Sequence, residues 1–203
     1  MNKTNWQNEF QLKLNNFSKN NSVPKVLLHC CCAPCASGCI ERLKESAQVV
    51  LYFYNPNMCS IEEYEKRKQE IYKLASFFSV EVICEEHLKE DFYYAVQGLE
   101  NCPERGERCS ACFHLRLSKT AQIARLKGFD YFATTLTLSP LKNAELINTI
   151  GQNIEKENKI NYLPSDFKKK NGLLRSIELS KQLNLYRQNF CGCEFSKKST
   201  FYR

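Results

Sequence analysis

The sequence predicts an α/β fold, a parallel sheet with flanking helices. Three observations predict it. Short buried-strand patterns (KVLLHC, QVVLYFY, VEVICE and YFATTLTL) recur along the chain. Longer segments with helical spacing separate them, and strands joined through helices pair in parallel. Pro, Asn and Gly punctuate the junctions, as turns and helix ends require. With 203 residues the chain is long enough for one hydrophobic core. It reads as a single α/β domain, 1–203, with an N-terminal helix packed on it.

Each element has its own warrant. Trp6, Phe10, Leu14 and Phe17 recur at helical spacing and predict an amphipathic helix over about 4–18. Pro24 introduces a buried strand, Lys25 to Cys30, and CCAPC follows as a tight loop. A helix is expected from Cys35 to Ser46. A strand from Gln48 to Tyr54 is stopped by Asn55-Pro56-Asn57. Ser60 and Glu63 form a capping box that opens a helix to about Phe78. Tyr64, Ile71, Ala75 and Phe78 share one of its faces. A third strand is expected at 80–85, a short aromatic helix at 92–99, and an irregular loop over NCPERGERCS. A helix over 110–127 is ended by Gly128. The fourth strand, Tyr131 to Leu138, is broken by Ser139-Pro140. A helix from Asn143 to about Glu157, a short strand at 161–163 and a helix at 173–183 complete the pattern.

Composition narrows the function. The longest apolar run, Val49 to Tyr54, falls far short of the roughly 20 residues of a membrane span. The first residues lack the apolar core of a secretory signal. Thirteen Phe and ten Tyr argue against disorder. The expected location is therefore the reducing cytoplasm, where twelve Cys read as metal or redox chemistry rather than disulfide staples. The net charge of +7 points weakly to an anionic partner such as nucleic acid.

The cysteines fall into three groups. Cys30, Cys31, Cys32 and Cys35 sit at the carboxyl end of the first strand, where open α/β sheets bind ligands. A phosphate site would need glycines there, and none is present. Cys109-x-x-Cys112 opens a helix whose N-terminus favours thiolates, with Cys102 nearby. Cys191-Gly-Cys193 reads as a strained, reducible disulfide or as two ligands of one metal. Cys39 and Cys84 read as core, and Cys59 has no role. Zinc ribbons pair their C-x-x-C knuckles about 15–20 residues apart, whereas these two lie over 70 apart. Adjacent residues usually point apart, so Cys31 and Cys32 suit the separate corners of a cluster better than one small ion. An iron–sulfur centre, zinc and a metal-free thiol site all stay open on this chemistry. Cys31, Cys32, Cys109 and Cys112 would supply four ligands from two segments.

The blocks KVLLHCCCAPC, YNPNMCSIEEYEKR, ERCSACFHLRL, TTLTLSPLKN and SDFKKKNGLLRSIELSKQLNLYRQNFCGC resemble, in the family's order over 25–193, the cobalamin-independent epoxyqueuosine reductases (QueH). The resemblance implies a fold similar to the nucleotide-binding α-hydrolases, HUP or PP-loop-like, with cysteines in place of the phosphate loop. It implies a metalloenzyme that reduces epoxyqueuosine to queuosine at the wobble position of a tRNA anticodon. It implies a [4Fe-4S] cluster held by Cys31, Cys32, Cys109 and Cys112, and a redox-active disulfide between Cys191 and Cys193. A second mononuclear metal (iron) would lie beside the cluster with Cys35 as its ligand, a position some members fill with a carboxylate. Cys30 occupies the variable position of H-x-C-C. The electron donor is unidentified.

The reaction needs proton donors, for which Tyr64, His29 and His114 are the candidates. A tRNA needs cations along its backbone. Lys168, Lys169, Lys170 and Arg175 supply them in DFKKKNGLLR, and Lys197, Lys198 and Arg203 in the tail with Phe201 and Tyr202 interleaved. Arg67 and Arg187 lie inside the blocks that carry the resemblance. The charges of the two runs read equally as solvated surface, and Arg67 and Arg187 rank above the lysines. Two other readings compete: a zinc-binding, non-catalytic RNA module, and an ATP-dependent tRNA-thiolating enzyme of similar fold, against which the missing glycine loop argues.

Overall fold

The structure is a computed structural model and describes residues 4–197. Its centre is a five-stranded, all-parallel sheet in the order β3-β2-β1-β4-β5. The strands are β1 (Lys25–His29), β2 (Gln48–Phe53), β3 (Glu81–Cys84), β4 (Tyr131–Thr134) and β5 (Asn161–Tyr162). The helices are α1 (Trp6–Lys19), α2 (Ala33–Lys44), α3 (Ile61–Phe78), α4 (Lys89–Ala95), α5 (Glu107–Leu126), α6 (Ala144–Asn158), α7 (Gly172–Gln182) and a short α8 (Glu194–Lys197). The last was not expected.

The two-residue period of β1 sorts its side chains between two cores. Val26, Leu28 and Cys30 pack on one face with α2, α3 and α1. Leu27 and Cys31 pack on the other with α5 and α6. Each fully buried Leu or Phe contributes roughly 1.5–3 kcal/mol, so these faces fix the register. The predicted stripe of α1 is buried, with Phe10 edge-on to Phe167 and Phe17 against Tyr131. The capping box forms as expected, Ser60 Oγ accepting from the Glu63 amide at 3.3 Å. Gly128 ends α5 at φ 70°, a conformation that favours glycine.

Several boundaries differ from expectation, α4 running over Lys89–Ala95 rather than 92–99. The strand expected to reach Leu138 ends at Thr134, and Thr135–Leu138 form a 3-10 turn. The Thr134 hydroxyl accepts from the Leu136 amide at 3.2 Å and tightens the chain. α2 begins at Ala33, inside the segment expected to be loop, because Pro34 suits a helix's first turn. α5 begins at Glu107, so Cys109 and Cys112 both lie on the helix. Cys39 is buried as expected, while Cys84, on an edge strand, is only half-buried.

Candidate metal centre

The sheet order changes direction between β1 and β4, and the crevice beyond their carboxyl ends is the ligand site of such folds. The cysteine loop after β1 and the turn after β4 meet there. Cys31 Sγ lies 3.9 Å from Thr135 Oγ1. The sulfurs of Cys31, Cys32 and Cys35 all lie within 4.8 Å of one another, with Cys31 and Cys32 3.8 Å apart. The expected divergence of these neighbours is not met. Cys32 is extended at φ −169° and caps α2, so the chain turns from strand to helix between them and brings their sulfurs together. The spacing therefore no longer argues against a single ion.

Electrostatics favour a thiolate at Cys31. Hydrogen bonds from Cys32 and Cys35 hold its pKa well below the usual thiol value. Sharing with Cys31 pushes Cys32 up to about 11 and raises Cys35 as well. Cys30 points to the opposite core, donates to the Tyr52 carbonyl, and is kept a neutral thiol by burial.

α5 brings the second group. Cys112 is buried and Cys109 half-buried. The Arg105 amide donates to Cys109 Sγ at 3.3 Å from a left-handed turn at φ 70°. Burial raises both pKa values, Cys112 to about 12. These two do not join the compact triad, but line an adjoining cavity with Cys191 and Cys193.

The third group is held by α3. Arg67, expected to face tRNA phosphates, is 1% exposed and ion-paired with Glu63 at 2.6 Å. Its guanidinium donates to the carbonyls of Cys191 (3.1 Å) and Phe190 (3.4 Å). Its position is thus a strut beneath the C-G-C segment, and it also lines the cavity beside Cys31. Gly192, at φ 119° with Met58 and Arg67 against it, bends the C-G-C segment. Cys191 lines both cavities; Cys193 packs near Cys112, and burial raises its pKa to about 11. All twelve cysteines are free thiols, so the expected Cys191–Cys193 disulfide is not formed.

The cavity beside Cys31 and Cys35 has a volume of about 230 Å³. Arg187 lies at this cavity as an exposed cation, together with Lys142 of the SPLKN loop. Three buried side-chain oxygens without a partner line the two cavities: Gln188 Oε1, Asn57 Oδ1 and Glu104 Oε2. Buried polar atoms are normally satisfied, so such a cluster marks a place for a bound group. The thiol-rich donor set fits a soft-metal centre.

The expected proton donors do not face this cavity. His29 is fully buried, its pKa lowered to about 3 by burial and then by Arg116. Its ring bonds Thr134 Oγ1 and the Tyr54 carbonyl. Tyr64 donates to the Glu85 carbonyl. His114 touches Ser118 on an exposed helix face. Among the expected tRNA contacts, Arg175 is ion-paired with Glu41 and Glu178, and Lys168 with Asp166. Lys169 and Lys170 are exposed. With Lys168 they line an open cleft shared with Trp6 and Asn5. Lys198, Phe201, Tyr202 and Arg203 lie outside the described residues, as does the Lys197 side chain. Sequence reasoning missed Arg116, although its place one turn after Cys112 was a usable signal.

No described helix is long and apolar enough to cross a membrane. The fold is shared with the U34-tRNA thiolase NcsA from Methanococcus maripaludis, solved with its [4Fe-4S] cluster. The TM-score is 0.59 over 96% of this chain and 69% of that one, at 14% identity. The family profile of epoxyqueuosine reductase QueH matches residues 26–199. The epoxyqueuosine reductase QueH of Streptococcus pyogenes serotype M1 is 39% identical over 202 residues, covering 97% of this chain and 79% of that protein. The one from Thermotoga maritima is 38% identical over 174 residues, 84% and 89% of the two chains. With the match spanning the strand-end cysteines, the α5 pair and the C-G-C segment alike, the chain belongs to the epoxyqueuosine reductase QueH family.

Proposed function

We propose that this chain is an epoxyqueuosine reductase that acts on tRNA in the cytoplasm, converting the wobble epoxyqueuosine to queuosine. The reaction removes the epoxide oxygen as water and consumes two electrons and two protons. The observation that carries the reading is the meeting of three sequence-distant cysteine groups around two adjoining cavities at the rim between β1 and β4.

In this reading Cys31 and Cys32 from the strand end, and Cys109 and Cys112 from α5, hold a [4Fe-4S] cluster, and Cys35 is available to a second, mononuclear iron. When bound, the cluster supplies electrons singly. The chain's own residues do the rest. Thr135 and the first turn of α2 fix the strand-end thiols. Arg67 fixes the carbonyls flanking Cys191. Cys191 and Cys193 form a dithiol couple, whose oxidation to a disulfide releases two electrons and two protons, matching the reaction. Arg187 and the Lys168–Lys170 cleft supply cations for the tRNA backbone, whose loop bases can be splayed out to reach a recessed site.

Anaerobic incubation with epoxyqueuosine-containing tRNA and dithionite, followed by nucleoside mass analysis, tests this. Loss of one oxygen from the modified nucleoside is expected. An unchanged nucleoside with iron-loaded protein would refute it. The 3.8 Å approach of Cys31 and Cys32 favours a second reading, a single thiolate-bound zinc in an RNA-binding module. Metal analysis separates the two.

A further inference from the structure

Arg116 lies on α5 one turn beyond Cys112 and is 1% exposed. Its Nε donates to His29 Nε2 at 3.3 Å, one terminal nitrogen donates to Asn55 Oδ1 at 2.5 Å, and the other lies 4.0 Å from Cys112 Sγ. Neither of the first two partners is an anion: one is an imidazole and the other an amide. No carboxylate among the described residues pairs with it. The other fully buried arginine, Arg67, has Glu63 for that purpose. A buried cation without an anion is strongly unfavourable. The groups near Arg116 that can carry negative charge are the sulfurs of Cys112, Cys31 and Cys191, and metal ligation would make the first two thiolates.

We propose that Arg116 is the built-in counter-cation of the thiol centre, a positioning residue whose charge stabilises the anionic sulfurs of Cys112 and Cys31 and raises the reduction potential of the cluster they hold. This rests on the reading of those two cysteines as cluster ligands. It also gives His29 a task. Its Nε2 lies 3.3 Å from Arg116 Nε and 3.1 Å from the Tyr54 carbonyl oxygen, and its Nδ1 lies 3.0 Å from Thr134 Oγ1. His29, held at the end of β1, braces the guanidinium from one side. Asn55 does the same from the loop after β2, its amide nitrogen donating to the Cys30 carbonyl at 2.9 Å. The potential of an iron–sulfur centre responds to local charge and to hydrogen bonds at its sulfurs, so the cation sits where it acts most directly.

The test uses the full chain, reconstituted anaerobically, as wild type, Arg116→Gln and Arg116→Lys. Iron and labile sulfide are counted, and the midpoint potential is measured by mediated titration. Removing the cation makes the added electron less welcome. Arg116→Gln should therefore shift the oxidised-to-reduced equilibrium at least tenfold toward the oxidised form, about 59 mV more negative for a one-electron couple. Arg116→Lys keeps the charge but loses the guanidinium fork, and should stay within about threefold of wild type. A merely structural arginine predicts that both variants lose thermal stability at an unchanged potential. Arg116→Gln with a wild-type potential, or Arg116→Lys shifted as far as Arg116→Gln, overturns the proposal. If Arg116→Gln does not fold by circular dichroism, the neutral Arg116→Met takes its place: a potential shifted as for Arg116→Gln supports the proposal and a wild-type potential overturns it. A wild type without iron removes the ligand reading and the proposal together, whereas iron at an unresponsive potential removes only the proposal.

Discussion

Cys30, Cys31 and Cys32 are three identical side chains separated by geometry. Strand alternation sends Cys30 into the core beneath α2 and Cys31 toward α5, and the start of α2 folds Cys32 back beside Cys31. Exchanging them for alanine should therefore have unequal effects. Cys31→Ala or Cys112→Ala should lower iron content to below about a tenth of wild type, since on the proposed function each would remove a ligand. Cys193→Ala should keep its iron and lose turnover. Iron analysis beside the tRNA assay checks this, and iron loss in Cys193→Ala would make C-G-C a ligand pair instead. The cysteines were legible as chemistry because thiols are scarce in ordinary loops. The roles of Arg67 and Arg116 were not, because an arginine's burial depends on what the rest of the chain packs around it.

At the scale of elements, α7 braces the thiol loop. It packs along α2, and its Ser176 hydroxyl donates to the Pro34 carbonyl in the first turn of α2. Gly38 faces α7 at this approach, and Gly172 lets the turn before α7 close, since an added Cβ there would lie 1.9 Å from the Phe167 carbonyl oxygen. Gly172→Ala should destabilise the apoprotein by about 1–3 kcal/mol, as overpacking does. A thermal melt checks it, and an unchanged midpoint would mean that the Phe167 backbone gives way freely. Most elements were legible, since hydrophobic spacing and the Ser60 cap are local signals. The 3-10 turn after β4 and the bend at Gly192 were not. The first depends on where Thr134 directs its hydroxyl, the second on Met58 and Arg67 packed against the glycine.

Across the whole molecule, the strand order makes the site. Parallel pairing was readable from strands alternating with helices. The order β3-β2-β1-β4-β5 was not, because it depends on which crossover packs on which face. That order sets β1 against β4 and lets α5 carry Cys109 and Cys112 toward a loop more than 70 residues earlier in the chain. An iron–sulfur centre spanning both segments is the claim on which electron delivery depends. Its most direct measurement is metal and labile-sulfide analysis of anaerobically purified wild-type protein, with electron paramagnetic resonance after dithionite. About four iron and four sulfide per chain, with a signal from the reduced cluster, are expected. Equimolar zinc with no sulfide and no signal would contradict it.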